Sequence, residues 1–190
     1  MTLYIVRHGR TEANASGLLL GRADPELDEE GRKQAQQIST ALPEGAIVVS
    51  SPLQRTRQTA EAVDPEHLTD DRLLEMDYGV FDLTPVKDVP ADVWAQWRSD
   101  PDFAPPDGES HAQLATRVSA ALDEWSAKAI DRDVVVVTHV SPIKASLAWA
   151  LGVGIEVSWR SFVAQASIST IGMSDRGPSL HAFNATHHLS

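Results

Sequence analysis

The sequence predicts an α/β fold, a three-layer α/β/α sandwich around a mostly parallel central sheet. Three observations carry that reading. Short apolar runs of four or five residues alternate with longer amphipathic segments, the pattern of strands joined by crossover helices. Val134–Val137 is four valines in a row, which suits a central strand buried on both faces. Helix-start signals stand ahead of four of the amphipathic segments, at Asp28, Ser51-Pro52, Ser110 and Ser141-Pro142.

In chain order, Leu3–Val6 is the first strand. Asp28 caps a helix that runs to Leu42, where Pro43 stops it. Ala46–Ser50 is the second strand, and Ser51-Pro52 reads as a cap followed by proline at the first helical position, opening a helix through Ala62. Ser110 caps a longer helix in which Leu114, Val118, Ala121 and Trp125 recur at helical spacing on one face. Val134–Thr138 is the third strand. Ser141-Pro142 repeats the cap-plus-proline device and opens a helix to Leu151, ended by Gly152. Ile168–Met173 and Ser179–Phe183 are strands closing the sheet. Between Val80 and Asp107 the chain is irregular and rich in proline and aspartate, an insertion over a site rather than a plain loop. Its Trp94, Trp97 and Phe103 either form an apolar lid or pack the insertion onto the core. No repeat or linker divides the 190 residues, so one domain over 1–190 is expected, with the insertion at about 80–107 covering the site.

Composition excludes several classes. The formal net charge is −11. Residues 1–57 carry seven Lys/Arg against seven Asp/Glu, so the whole surplus falls in 58–190. An acidic chain with no basic stripe suits neither nucleic acid nor an anionic membrane. No apolar run approaches the ~20 residues of a membrane span, and no signal peptide is visible, so a cytoplasmic location is expected. Cysteine is absent, which removes disulfides, thiolate metal sites and a cysteine nucleophile.

Against this background, three strands end in residues that handle phosphate. Val6 leads into Arg7-His8-Gly9, the second strand leads to Arg55, and the third leads to His139. Ligands of open α/β sheets gather beyond the carboxyl ends of the strands. Two guanidiniums there can hold the oxygens of a phosphoryl group, and a neutral imidazole nitrogen can attack phosphorus in line. Arg10, Arg22 and Arg57 read instead as solvated surface.

Arg7-His8-Gly9-Arg10-Thr11-Glu12-Ala13-Asn14 closely resembles the signature of the histidine phosphatase superfamily, also called phosphoglycerate-mutase-like. The resemblance continues in order through Gly21–Asp24, Leu27–Ala35, Ser50–Thr56 with Thr59-Ala60, Leu74-Glu75 with Gly79, Asp107–Ser110 with Arg117-Val118, and Val137–His139. It implies that His8 is the nucleophile that becomes phosphohistidine. Arg7, Arg55 and His139 form the cradle around the phosphoryl group, and Glu75 is the acid that protonates the leaving oxygen and then activates water. Asn14, Gly21 and the backbone of Val140 line the phosphate or the substrate. The surrounding cations disfavour imidazolium and keep His8 neutral. No metal or other cofactor is implied, the partner is a small phosphorylated molecule, and a homodimer is left open.

Two departures bear on specificity. Many members carry Gly-x-Trp-Glu-Gly after the acid, where this chain reads Gly79-Val80-Phe81-Asp82-Leu83. Many also place two glycines after the second histidine, where Val140-Ser141 stand here; His139–Lys144 is similar to members described as acid or α-ribazole-phosphate phosphatases. A phosphoglycerate mutase is the nearest rival, but mutases carry a longer insertion than the 31 residues between Glu75 and Asp107. A silent phospho-ligand module and a metal site at His181, His187 and His188 are weaker readings, since the five core residues are intact and no metal-ligand spacing occurs.

Overall fold

The computed structural model describes residues 1–189. In chain order the elements are β1 (Thr2–Arg7), the short α1 (Glu12–Ala15), α2 (Glu29–Ala41), β2 (Ile47–Ser50), α3 (Gln54–Glu61), β3 (Leu68–Thr69), α4 (Ala91–Ser99), α5 (His111–Lys128), β4 (Val134–Thr138), α6 (Val140–Leu151), β5 (Ile168–Ser174) and β6 (Gly177–Ala185). The six strands form one sheet in the order β3-β2-β4-β1-β5-β6. From β3 to β1 the neighbours are parallel; β5 and β6 add an antiparallel edge.

Alternation along the strands builds the layers. Leu3, Ile5, Val134 and Val136 face one core with Leu114, Val118, Leu122 and Trp125 of α5 and Ile143 of α6. Val6, Val48, Val135 and Val137 face the other, with Ile38 of α2 and Ala60 of α3. All five residues of β4 are buried, as expected of a strand covered by helices on both sides.

Several predicted ends stand. The Asp28 carboxylate accepts from Gly31 N at 2.7 Å, Ser110 and Gln113 form a reciprocal capping box, and Gly152 closes α6 in the left-handed region at φ 63°. The two serine-proline starts do not. α3 opens two residues late, after Leu53, and α6 opens two residues early, with His139 in the cap position. In both cases the serine is used elsewhere. Ser51 Oγ meets His139 Nε2 at 2.8 Å, and Ser141 donates its N–H to Glu75 while its hydroxyl shares a hydrogen bond with that of Tyr78. Pro142 sits inside the first turn of α6, where a missing N–H costs nothing.

The 80–107 stretch is more ordered than its composition suggests. It contains α4 and the short turn Val86–Asp88. Trp97 is fully buried in the α5/α6 core, and Trp94 and Phe103 pack at its edge. Among the described residues no helix is long and apolar enough to cross a membrane.

Candidate active site

The carboxyl ends of the three parallel strands meet. β1 delivers Arg7 and His8, the end of β2 delivers Ser51 with Arg55 one turn beyond it, and β4 delivers His139. The His8 backbone N–H donates to Thr138 O at 3.0 Å, which stitches the two strand ends together. Their rings stand edge to face, with centroids 5.2 Å apart. Gly9 N donates to Thr59 Oγ1 of α3 at 3.1 Å. A side chain at Gly9 would strike Gly31 O, so only glycine lets α2 approach the strand end this closely.

Hydrogen bonds assign the imidazole roles. His8 Nδ1 lies 2.7 Å from Gly9 O. A carbonyl can only accept, so Nδ1 carries the proton and Nε2 carries the free lone pair. His139 Nδ1 accepts from Arg55 Nε at 3.2 Å, which puts its proton on Nε2, toward Ser51 Oγ. Both rings are held well below the ordinary histidine value. Burial is the larger cause for each, and the nearby Arg55 charge adds to it. The cations named from the sequence are therefore the second reason His8 is neutral, not the first.

Burial also pushes Arg7 and Arg55 down to about 10, against the pull of Glu75; both remain charged at neutral pH. Their donors are deployed unequally. Arg55 spends three of its five N–H bonds inside the protein, on His139 Nδ1, Ala23 O (2.7 Å) and Gly21 O (2.8 Å). Arg7 gives one to Val163 O at 2.8 Å, while its Nε is buried with no partner. That orphan donor points to an absent acceptor.

Glu75 is buried beside this cluster. Its Oε1 accepts from Met76 N at 2.7 Å and from Ser141 N, in the first turn of α6, at 3.1 Å. Arg117 fixes the same segment from behind. It is paired with Glu109 at 2.6 Å and donates to the carbonyls of Arg72 and Glu75.

The remaining predicted residues take internal partners. Asn14 Oδ1 accepts from Thr11 N and Oγ1 and closes the turn after Arg7-His8-Gly9. Gly21 N donates to Asp82 at 2.7 Å, and Ala23 N does the same. A Cβ at Gly21 would press on Met76 O at 2.9 Å and on Tyr78. Val140 is the first residue of α6 and lines a cavity next to Glu75. Asp82 and Ser51 are site residues that the sequence reading passed over. Asp82 holds the amides of the 21–23 loop while Arg55 holds its carbonyls. The available signal for Asp82 was the carboxylate it keeps where the Gly-x-Trp-Glu-Gly pattern has its glutamate.

The chain that builds this cluster belongs to a known family. The family model of the histidine phosphatase superfamily (branch 1) matches residues 3–186. Among relatives, Phosphoserine phosphatase 1 of Hydrogenobacter thermophilus is 34% identical over 98% of this chain and 93% of its own. A probable phosphoglycerate mutase of Proteus mirabilis is 32% identical over 90% of this chain and 84% of its own. A phosphoserine phosphatase mutant of Entamoeba histolytica, solved with phosphoserine, superposes with a TM-score of 0.90 at 26% identity, covering 100% of this chain and 99% of that one.

Proposed function

We propose that this protein hydrolyses small-molecule phosphomonoesters through a phosphohistidine on His8, within a single catalytic domain whose 80–107 insertion flanks the site. The observation that carries this reading is the His8 ring. It is buried, neutral and tautomerically fixed by Gly9 O, so Nε2 presents its lone pair beside two guanidiniums.

In the first step Nε2 forms the N–P bond as the ester P–O bond breaks. Arg7, with its unpartnered Nε, and the remaining donors of Arg55 take the charge on the non-bridging oxygens. Protonated Glu75 gives its proton to the leaving oxygen, and the resulting carboxylate then takes one from the water that attacks phosphorus. His8 Nε2 leaves with its electron pair restored, and inorganic phosphate departs. His139 fixes Arg55 through Nδ1 and ties Ser51 to the site through its Nε2–H. Family membership and relatives named as phosphatases support hydrolysis. The length of the 76–106 segment favours it over mutase transfer.

One experiment tests both points. With 3-phosphoglycerate as sole substrate, inorganic phosphate should accumulate without isomer interconversion, and His8→Ala should remove that activity by about 10³-fold or more while remaining folded. Interconversion without phosphate release would move the chain to the mutase branch. Activity within about tenfold of wild type in His8→Ala would end the mechanism.

A further inference from the structure

The cavity beside Glu75 carries groups that phosphoryl transfer does not use. It encloses about 200 Å³. Tyr78, Trp94, Trp97 and Trp159 give it aromatic walls, and Ser141 places it against the acid. Three polar atoms on its lining residues have no hydrogen-bond partner: the Trp97 indole N–H, His111 Nδ1 and the Ser158 hydroxyl. Their residues are only 1%, 9% and 4% exposed. The ammonium of Lys144, one helical turn along α6 from Ser141, lines the same cavity and forms no hydrogen bond or ion pair with any described residue. Buried polar groups are normally satisfied, so these three, with the half-buried Lys144 ammonium beside them, mark where a ligand's polar atoms belong.

The chemistry of these groups narrows the ligand. An ammonium and an indole N–H only donate, so the ligand group must accept. Burial, and after it the Lys144 charge, pushes His111 down to about 4, so His111 adds no second cation. One cation calls for one negative charge. A carboxylate supplies it, whereas a second phosphate would set surplus negative charge beside Glu75. The aromatic walls ask for an apolar body between the carboxylate and the ester oxygen.

Building on the phosphatase reading, we propose that this cavity is the leaving-group subsite and that Lys144 sets specificity for phosphomonoesters whose alcohol carries a carboxylate on an apolar body. The test compares meta-carboxyphenyl phosphate, its neutral isostere meta-carbamoylphenyl phosphate, and phenyl phosphate. Wild type should prefer the carboxyl over the carbamoyl ester by about 10-fold or more in kcat/KM, the scale of one charge-assisted hydrogen bond. Lys144→Met and Lys144→Gln should each erase that ratio while phenyl phosphate turnover stays within about twofold of wild type. Lys144→Arg should retain a preference. Equal use of the two esters by wild type, or a ratio that survives both neutral variants, overturns the assignment. Failure of wild type to hydrolyse any of the three overturns the phosphatase reading and the subsite with it.

Discussion

Lowering the pH from 7 to 5 in phosphate-free buffer should destabilise this fold through histidines that it buries in the neutral form. In the unfolded chain each histidine titrates near about 6.5. Folding holds His8 and His139 well below that value, by burial first and the Arg55 charge second, and burial holds His111 at about 4. The charged form of histidine is the protonated one, so within this window the unfolded state binds the proton and the folded state does not. Stability is then complete above the unfolded value and is lost as the pH falls below it. For each histidine that stays neutral in the fold, protonation of the unfolded state over these two pH units is worth about 2 kcal/mol. His111 supplies about 2 kcal/mol by itself, and His8 and His139 add to it in the same direction, against a total stability of ~5–15 kcal/mol for an ordinary domain. Urea unfolding at the two pH values measures the difference. His111→Gln, which replaces the one buried histidine outside the cradle, should cut the loss by about 2 kcal/mol. A loss below about 2 kcal/mol in wild type, or one unchanged in His111→Gln, would refute the argument.

Two further outcomes follow from the site. Glu75→Gln keeps the shape and removes the proton donor, so alkyl esters should lose ~10²–10⁴-fold in rate while p-nitrophenyl phosphate keeps its first step. Phosphohistidine should then be trapped by alkaline quench from the aryl ester, and equal losses with no adduct would assign the acid elsewhere. Asp82→Asn leaves one of the Gly21 and Ala23 amides facing an NH₂ group, so it should cost ~2–4 kcal/mol in urea unfolding and raise KM. Unchanged stability and KM would mean that the 21–23 loop is held by Arg55 alone.

The layers and the cradle were legible because they rest on local patterns. Four valines announced the central strand, and Ser110 and Asp28 announced helix starts, since a cap is a contact within four residues. The gathering of His8, Arg55, Glu75 and His139 at one place was legible because the ordered motif names them. What escaped notice depends on distant partners. Ser51 and Ser141 read as caps because nothing nearby shows that His139 and Glu75 claim their polar atoms. α4 was hidden by flanking prolines and by aspartates with poor helix propensity. The anchoring by Asp82 spans 61 residues to Gly21, so the carboxylate could be read from its motif but its partner could not.

The strand order has a consequence for how the molecule is made. β1 and β2 lie on either side of β4, and the other neighbour of β1 is β5. As the chain is synthesised from its amino end, the strand bearing His8 has no partner on either edge until residues 134–138 emerge. His8 is thus made well before the strand that fixes its place. Contacts across so large a sequence separation close slowly, and unpaired apolar strands are where nascent chains associate wrongly. Carboxyl-terminal truncations ending before β4 should therefore yield aggregates rather than a smaller folded core.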